Sequence, residues 1–337
     1  MATMRDVAQK AGVSITSVSH VINKTRFVAP GLKKRIFDAM RDLHYRPNRL
    51  AQGLRNKRSF TLGLILPDIT NPYFAEIARD IENASFKQGY SIIICNSDQD
   101  SATESRYMEV LTDKQVDGVI LVDVGSRSPK ALAPLSTMPL IMLDREVPEL
   151  PTDSIQADNA EGGRVAAEHL LSLRHRRFAC IAGPEVIQPG DNRLVGFKEA
   201  LEKAGAILDE SQILRGDFRS ESAYRLALEI LEWKTMPTAI FAFNDLMAFG
   251  AITALSERGM RVPEDISVVG YDNIEQASYF NPRLTTVAQP HREMGEMAVA
   301  KLIERIAEKD LPARVFHLSP CLVTRNSTAP ARNRRED

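Results

Sequence analysis

Ile15, Thr16, Ser19 and His20 stand at i, i+1, i+4 and i+5, a spacing that gathers side chains on one face of a helix. The chemistry open to that face is base reading: threonine can meet a thymine methyl or a base acceptor, and histidine can donate to a purine edge. A second set is spread through the rest of the chain. Asn71, Tyr73, Phe74, Asp144, Arg145, Phe218, Asn244, Asp272 and Gln289 stand at the ends of apolar runs, and Arg193 lies in GDNRLVGF. Aromatic faces beside Asp, Asn, Gln and Arg suit a sugar, whose C–H patches the rings cover and whose hydroxyls the planar polar groups engage. These residue types exclude a lipid pocket, and the lack of a Gly-rich cradle disfavours a phosphate pocket. No GxSxG, P-loop or metal-ligand cluster appears, and Asp144 and Asp272 have no evident catalytic partner. Neither an enzyme nor a bound cofactor or metal is therefore expected.

The elements that must position the first set are short helices. Thr3 followed by Asp6 fits an N-cap with an acid three residues on, a variant of the capping box. Val7, Ala8 and Ala11 continue as a helical stripe, which Gly12 ends. Ser14 can cap a second helix, ITSVSHVIN, whose inner face is Val18, Val21 and Ile22. Two short helices about a Gly-Val-Ser turn read as a helix-turn-helix, and the stripe Leu32, Ile36, Met40, Leu43 would close a three-helix core. Charge agrees with this reading. The 337-residue chain has a net charge of −1, yet residues 1–60 carry thirteen Lys and Arg against three Asp, a net of +10, which leaves −11 for the rest. A compact basic head is the electrostatic footprint of phosphate binding.

The second set needs strands. TLGLILP, SIIICNS, DGVILVDV, PLIMLDR, SIQADN, RRFACIAG, SQILRGDF, TAIFAFN, ISVVGYDN and LTTVAQP read as buried strands, with helical stretches such as AEIARDIENASFKQG and DLMAFGAITALSERG between them. Apolar strands alternating with helices imply parallel sheets covered on both faces, here in two lobes near 61–160 and 161–290. Ligands bind beyond the carboxyl ends of such strands, where the second set lies. Asp245 reads as the cap of DLMAFG and is left out of that set. Cys95, Cys180 and Cys321 are few and far apart, so buried core thiols are expected rather than disulfides or a zinc site. No apolar run approaches the roughly 18 residues a membrane helix needs. The N-terminus MATMRDVAQK lacks a signal peptide's apolar stretch, so a cytoplasmic location and no membrane partner are expected.

The run AGVSxxxVSxVIN close to the N-terminus resembles the DNA-binding domain of the lac repressor–galactose repressor family of bacterial transcription regulators. The resemblance puts the second helix in the major groove, with Ile15, Thr16 and His20 at base-reading positions; Thr3, Ser14, Ser19 and Asn23 complete the set expected to face DNA. It makes the segment around YRPNRLAQGLR a hinge helix that folds with its dimer mate on DNA. Leu54 then matches the wedge inserted at a central minor-groove step, and Arg55 can follow the minor-groove edge. The body resembles the family's periplasmic-binding-protein-like ligand domain, and the ten cleft residues named above fall on the sugar contacts of ribose-binding proteins, with Tyr73 where those usually have Phe. The overall run is similar to ribose-operon repressors, although Arg145 stands where those carry Trp.

The resemblance implies an all-α helix-turn-helix domain (1–46), a hinge and linker (47–59), and an α/β core of two Rossmann-like lobes (60–337). The N-lobe would comprise about 60–160 plus 291–320, and the C-lobe about 161–290 plus 321–330. It further implies a homodimeric repressor that binds a pseudo-palindromic operator and is released by a monosaccharide, ribose being the best candidate. A purine or other corepressor, as in the purine repressor, is the alternative, and a sugar-binding protein without DNA activity is the reading from another class.

Overall fold

The computed structural model describes residues 2–23, 26–45, 58–122, 138–144, 152–185, 188–308 and 310–332. The chain forms two compact units, Met1–Ser59 and Phe60–Asp337.

In the first unit, α1 (Met4–Ala11) opens with a capping box: Thr3 N donates to Asp6 Oδ2 at 2.7 Å and Asp6 N donates to Thr3 Oγ1 at 3.4 Å. Gly12, at φ 62, ends α1 in the left-handed region that glycine enters without a Cβ penalty. Ser17 N then donates to Ser14 Oγ at 3.1 Å at the start of α2 (Ile15–Asn23), and Pro30 opens α3 (Pro30–Asp42). Val7, Ala8, Ala11, Val18, Val21, Ile36 and Ala39 form the buried centre, with Leu32, Met40 and Leu43 half-buried around it. Arg35 of α3 donates to Ala11 O and Gly12 O, which fixes the turn between α1 and α2 from outside the core.

The second unit holds two six-stranded sheets. One has the order β2-β1-β3-β4-β5-β11, from β1 (Thr61–Leu66), β2 (Ser91–Asn96), β3 (Gly118–Val122), β4 (Leu140–Leu143), β5 (Asp153–Ala157) and β11 (Val315–Leu318), with every pair parallel. The other has the order β7-β6-β8-β9-β10-β12, from β6 (Phe178–Ala182), β7 (Ile213–Arg215), β8 (Ala239–Ala242), β9 (Ser267–Asp272), β10 (Thr285–Ala288) and β12 (Cys321–Val323). Both lobes are doubly wound, with the strand order reversing beside the first strand of each, and the only antiparallel partner among the described strands is β12, on β10. Helices α4 (Pro72–Lys87), α5 (Ser101–Asp113) and α10 (His291–Ala307) pack on the first sheet, and α6 (Asn159–Ser172), α7 (Gln188–Lys203), α8 (Ser220–Leu231) and α9 (Asp245–Glu257) on the second. The chain crosses between lobes three times: after β5, between β10 and α10, and between β11 and β12.

The two-lobed α/β body and the all-α head are as the sequence predicts. Three elements escaped the sequence pattern. α10 buries Met294, Ala298, Val299 and Leu302 at helical spacing, but its stripe also takes in Gly295 and the charged Arg305, which blurs the apolar pattern, and β11 and β12 are short, half-exposed edge strands. The edge position also overturns one expectation: Cys95 and Cys180 are buried free thiols, but Cys321, on β12, is exposed. Asp245 is likewise not a cap. Asn244 caps α9, its Oδ1 accepting from Met247 N at 2.8 Å. Asp245 is fully buried, accepting from Thr286 Oγ1 at 2.5 Å and Ile274 N at 2.9 Å, so it ties α9 to β10 and to the loop after β9. Among the described residues no helix is long and apolar enough to cross a membrane.

Candidate functional site

In the head, Ile15 and Thr16 are exposed at the start of α2, while Ser19 and His20 are half-buried one turn later on the same face. Thr3 and Ser14 spend their hydroxyls on the caps of α1 and α2, so each sets the direction of a helix. Asn23 is the last residue of α2, its side chain outside the described residues, as are Leu54 and Arg55.

In the second unit the carboxyl ends of both sheets line one cleft of about 490 Å³ including its mouth. Asn71, Tyr73 and Phe74 enter it after β1, Asp144 after β4, Arg193 from α7, Phe218 after β7, Asn244 after β8, Asp272 from the end of β9 and Gln289 after β10. Nine of the ten residues named from the sequence therefore meet there; the tenth, Arg145, lies outside the described residues. Gln99 and Pro189 complete the wall. Gln99 follows β2 and was open to the same strand-end rule; nothing in the sequence pattern marks Pro189.

The backbone at this cleft is unusual. Asp144, Phe218 and Asp272 adopt φ of 59, 65 and 109, a region that non-glycine residues enter at a cost of about 1–3 kcal/mol each. Such conformations persist where the surroundings over-determine them, commonly at binding sites.

Polar atoms divide into committed and open ones. Asn71 Oδ1 caps α4 by accepting from Tyr73 N at 3.1 Å. Both polar ends of Asn244 are committed too, the oxygen to α9 and Nδ2 to Phe218 O at 2.9 Å. Arg193 donates through Nε to Asn159 Oδ1 at 2.8 Å and through Nη1 to Phe243 O, and its guanidinium lies 3.7 Å over the Tyr271 ring. Tyr73 Oη donates to Asp144 Oδ2 at 3.4 Å, and Gln289 Nε2 donates to Asp272 Oδ1 at 2.8 Å. Asp144 Oδ1 and Gln289 Oε1 are buried with no hydrogen-bond partner among the described residues.

Burial sets the protonation. It pushes the Asp272 carboxyl up to about 7, against the opposing pull of Arg193 and the hydrogen bond from Gln289. Burial likewise raises Asp144, outweighing Arg193, and drives Tyr73 well above the usual phenol range, with the nearby Asp144 charge adding to the effect. The cleft thus presents two carboxyl groups, an amide oxygen and one fixed guanidinium between aromatic rings. Among the described residues no group of three His, Cys, Asp or Glu is placed to hold a metal.

Residues 3–48 match the lacI family of bacterial regulatory proteins, and residues 167–328 match the periplasmic binding protein-like domain. The HTH-type transcriptional repressor PurR of Photobacterium profundum is 41% identical over 330 residues, which cover 97% of this chain and 98% of that protein. The chain belongs to the lacI family. Among solved structures, the lac repressor dimer bound to operator and the anti-inducer ONPF superposes with a TM-score of 0.85 at 30% identity, over 97% of this chain and 99% of that one. A LacI family transcriptional regulator from Enterococcus faecium with bound ribose superposes at 0.73 and 34% identity, over 81% of this chain and 100% of that one. Members of the family are DNA-binding transcriptional regulators, not enzymes, and this chain carries both of the family's parts, head and ligand domain.

Proposed function

We propose that this lacI-family regulator binds a pseudo-palindromic operator as a cytoplasmic homodimer and is released from it by a monosaccharide, with ribose as the best candidate. The effector would occupy the cleft lined by Asn71, Tyr73, Phe74, Asp144, Arg193, Phe218, Asn244, Asp272 and Gln289, and Arg145 would join these contacts as the family resemblance implies. DNA would be met by Thr3, Ser14, Ile15, Thr16, Ser19, His20 and Asn23, and by Leu54 and Arg55 of the hinge.

The observation that carries the sugar is the surplus of acceptors in the cleft. Asp144 Oδ1 and Gln289 Oε1 are buried without a partner among the described residues, and Asp272 sits beside Gln289. An unsatisfied buried acceptor costs about 1–3 kcal/mol, so the site favours a ligand that brings donors. A pentose offers hydroxyl donors around its rim and C–H faces for Phe74 and Phe218. Unequal affinity of the sugar for the closed and open lobes would then shift the DNA-binding equilibrium.

A second reading is a purine corepressor, favoured by the PurR relative at 41% identity over nearly the whole chain. The same aromatic rings could flank a flat base. Hypoxanthine carries fewer N–H donors than a pentose has hydroxyls, whereas guanine matches a pentose, so the acceptor-rich wall disfavours hypoxanthine more than guanine.

Calorimetric titration with ribose, other pentoses, hypoxanthine and guanine separates the two readings. A gel shift on an operator selected from a randomised duplex pool then gives the sign. Ribose binding with operator release supports the proposal; hypoxanthine or guanine binding with tightened operator binding overturns it in favour of the corepressor.

A further inference from the structure

Arg193 is held from behind by a residue that does not line the cleft. Asn159 is buried, and both ends of its amide are engaged: Oδ1 accepts from Arg193 Nε at 2.8 Å and from Tyr271 Oη at 3.2 Å, while Nδ2 donates to Ala157 O at 3.0 Å. Those partners belong to different lobes. Ala157 is the last residue of β5 in the first sheet, whereas Arg193 and Tyr271 belong to α7 and β9 on the second. Asn159 itself is the first residue of α6, directly after the chain's first crossing between the lobes.

The helix packing is built to allow this reach. A Cβ on Gly163 of α6 would collide with the Arg193 carbonyl, and one on Gly196 of α7 would collide with the Ala160 carbonyl. The glycines let α6 and α7 approach backbone to backbone, which brings the start of α6 against Arg193. The guanidinium is then pinned on three sides: Asn159 at Nε, Phe243 O at Nη1, and the Tyr271 ring against its face. Held in this way, Arg193 lines the cleft.

We propose that Asn159 is the positioning residue for effector recognition, aiming Arg193 into the cleft and registering that aim against the crossing strand of the other lobe. It acts through Arg193, not on the ligand. The inference rests on the cleft being the effector site. An aspartate here keeps the acceptor for Arg193 and Tyr271 but loses the donor to Ala157 O; an alanine loses both.

Two measurements on the full-length protein test it. The first needs no ligand: hydrogen exchange at Arg193 Nε–H by NMR, with the signal assigned by its loss in Arg193→Lys. It is expected to accelerate in Asn159→Ala and to stay slow in Asn159→Asp. The second is a double-mutant cycle on ribose affinity, with hypoxanthine run in parallel. Asn159→Ala is expected to weaken whichever compound binds by roughly tenfold, and to weaken it less than about twofold further in an Arg193→Met background. Unchanged Nε–H exchange in Asn159→Ala, or fully additive losses in the cycle, would overturn the positioning role. If Arg193→Met leaves binding intact, the cleft assignment fails instead, and the exchange measurement still decides whether Asn159 holds Arg193.

Discussion

Gln289 Nε2 donates to Asp272 Oδ1 at 2.8 Å, while the Oε1 of the same amide is buried with no partner among the described residues. The pair is half-satisfied and leaves one acceptor that the proposed effector would meet. Burial has raised Asp272 to about 7, against an ordinary value of 3.8. Between those values the folded chain holds a proton that the unfolded chain has released, so Asp272 makes the unliganded protein less stable as pH rises towards 7. A ligand that donates to the carboxylate favours the charged form, so binding near neutrality should expel a proton.

Effector affinity is therefore expected to rise as pH increases from 6 to 8. Calorimetry in buffers of different ionisation enthalpy should report proton release, and Asp272→Asn should flatten the profile as well as weaken binding. A profile independent of pH in the wild type would remove Asp272 from direct contact.

The first lobe depends on a buried ion cluster. Asp153 is fully buried and receives Arg305 Nη2 at 2.6 Å and Arg314 Nη2 at 2.6 Å. Burial alone would raise this carboxyl, but the hydrogen bonds from Arg314 and Arg305 outweigh it and hold it below its usual range. Asp153→Ala leaves Arg305 buried without its carboxylate, a change that typically costs about 3–5 kcal/mol. Urea denaturation should show the loss, while Asp153→Asn, which keeps one acceptor, should cost less.

The sequence made the buried strands legible because each is a short apolar run bounded by polar residues, and the carboxyl-end rule then led directly to the cleft. Asp144, Phe218 and Asp272 were found in this way without any knowledge of their strained backbones. The rule did not say how the polar atoms are used. Asn244 looks from sequence like a ligand contact, yet its oxygen caps α9 and its nitrogen holds Phe218 O. Asn159 also follows a strand end, in SIQADN, but its importance lies in contacts to Arg193 and Tyr271, 34 and 112 residues away. Such pairings depend on how the second lobe folds over α6, which no local pattern encodes.

A C-terminal strap is sewn onto the second lobe by two histidines. His175 contacts Ala329 O through Nε2 and Thr238 Oγ1 through Nδ1, both at 3.0 Å, and His169 Nε2 contacts Thr328 Oγ1 at 3.0 Å. Burial lowers both rings below the ordinary 6.5. As pH falls below 6.5 the unfolded chain takes up protons that the folded chain refuses, so the stabilisation present above that value is progressively lost. Thermal unfolding should show Tm dropping between pH 7.5 and 5.5, and His175→Gln should lower Tm at pH 7.5 while shrinking that drop. An unchanged slope would show that the strap does not sense pH through His175.

Operator recognition should separate into two components. The +10 head supplies attraction to any duplex, and its strength falls with salt in proportion to the phosphates neutralised. The base reading proposed for Ile15, Thr16 and His20, and the minor-groove wedge proposed by resemblance for Leu54, would act only on the operator. An apolar wedge unstacks one base step and kinks the duplex, a distortion offset by contacts that only a bent operator permits. Leu54→Ala should therefore reduce operator affinity and operator bending while leaving affinity for random duplex, and its salt slope, nearly unchanged. His20→Ala should weaken operator binding by roughly five- to a hundredfold without removing the bend, since a base-edge contact discriminates by about 1–3 kcal/mol. Gel shifts across a salt series, with end-to-end fluorescence transfer on a labelled operator, measure both components. Equal losses of Leu54→Ala on operator and random duplex would refute the wedge and make Leu54 a general contributor to head stability.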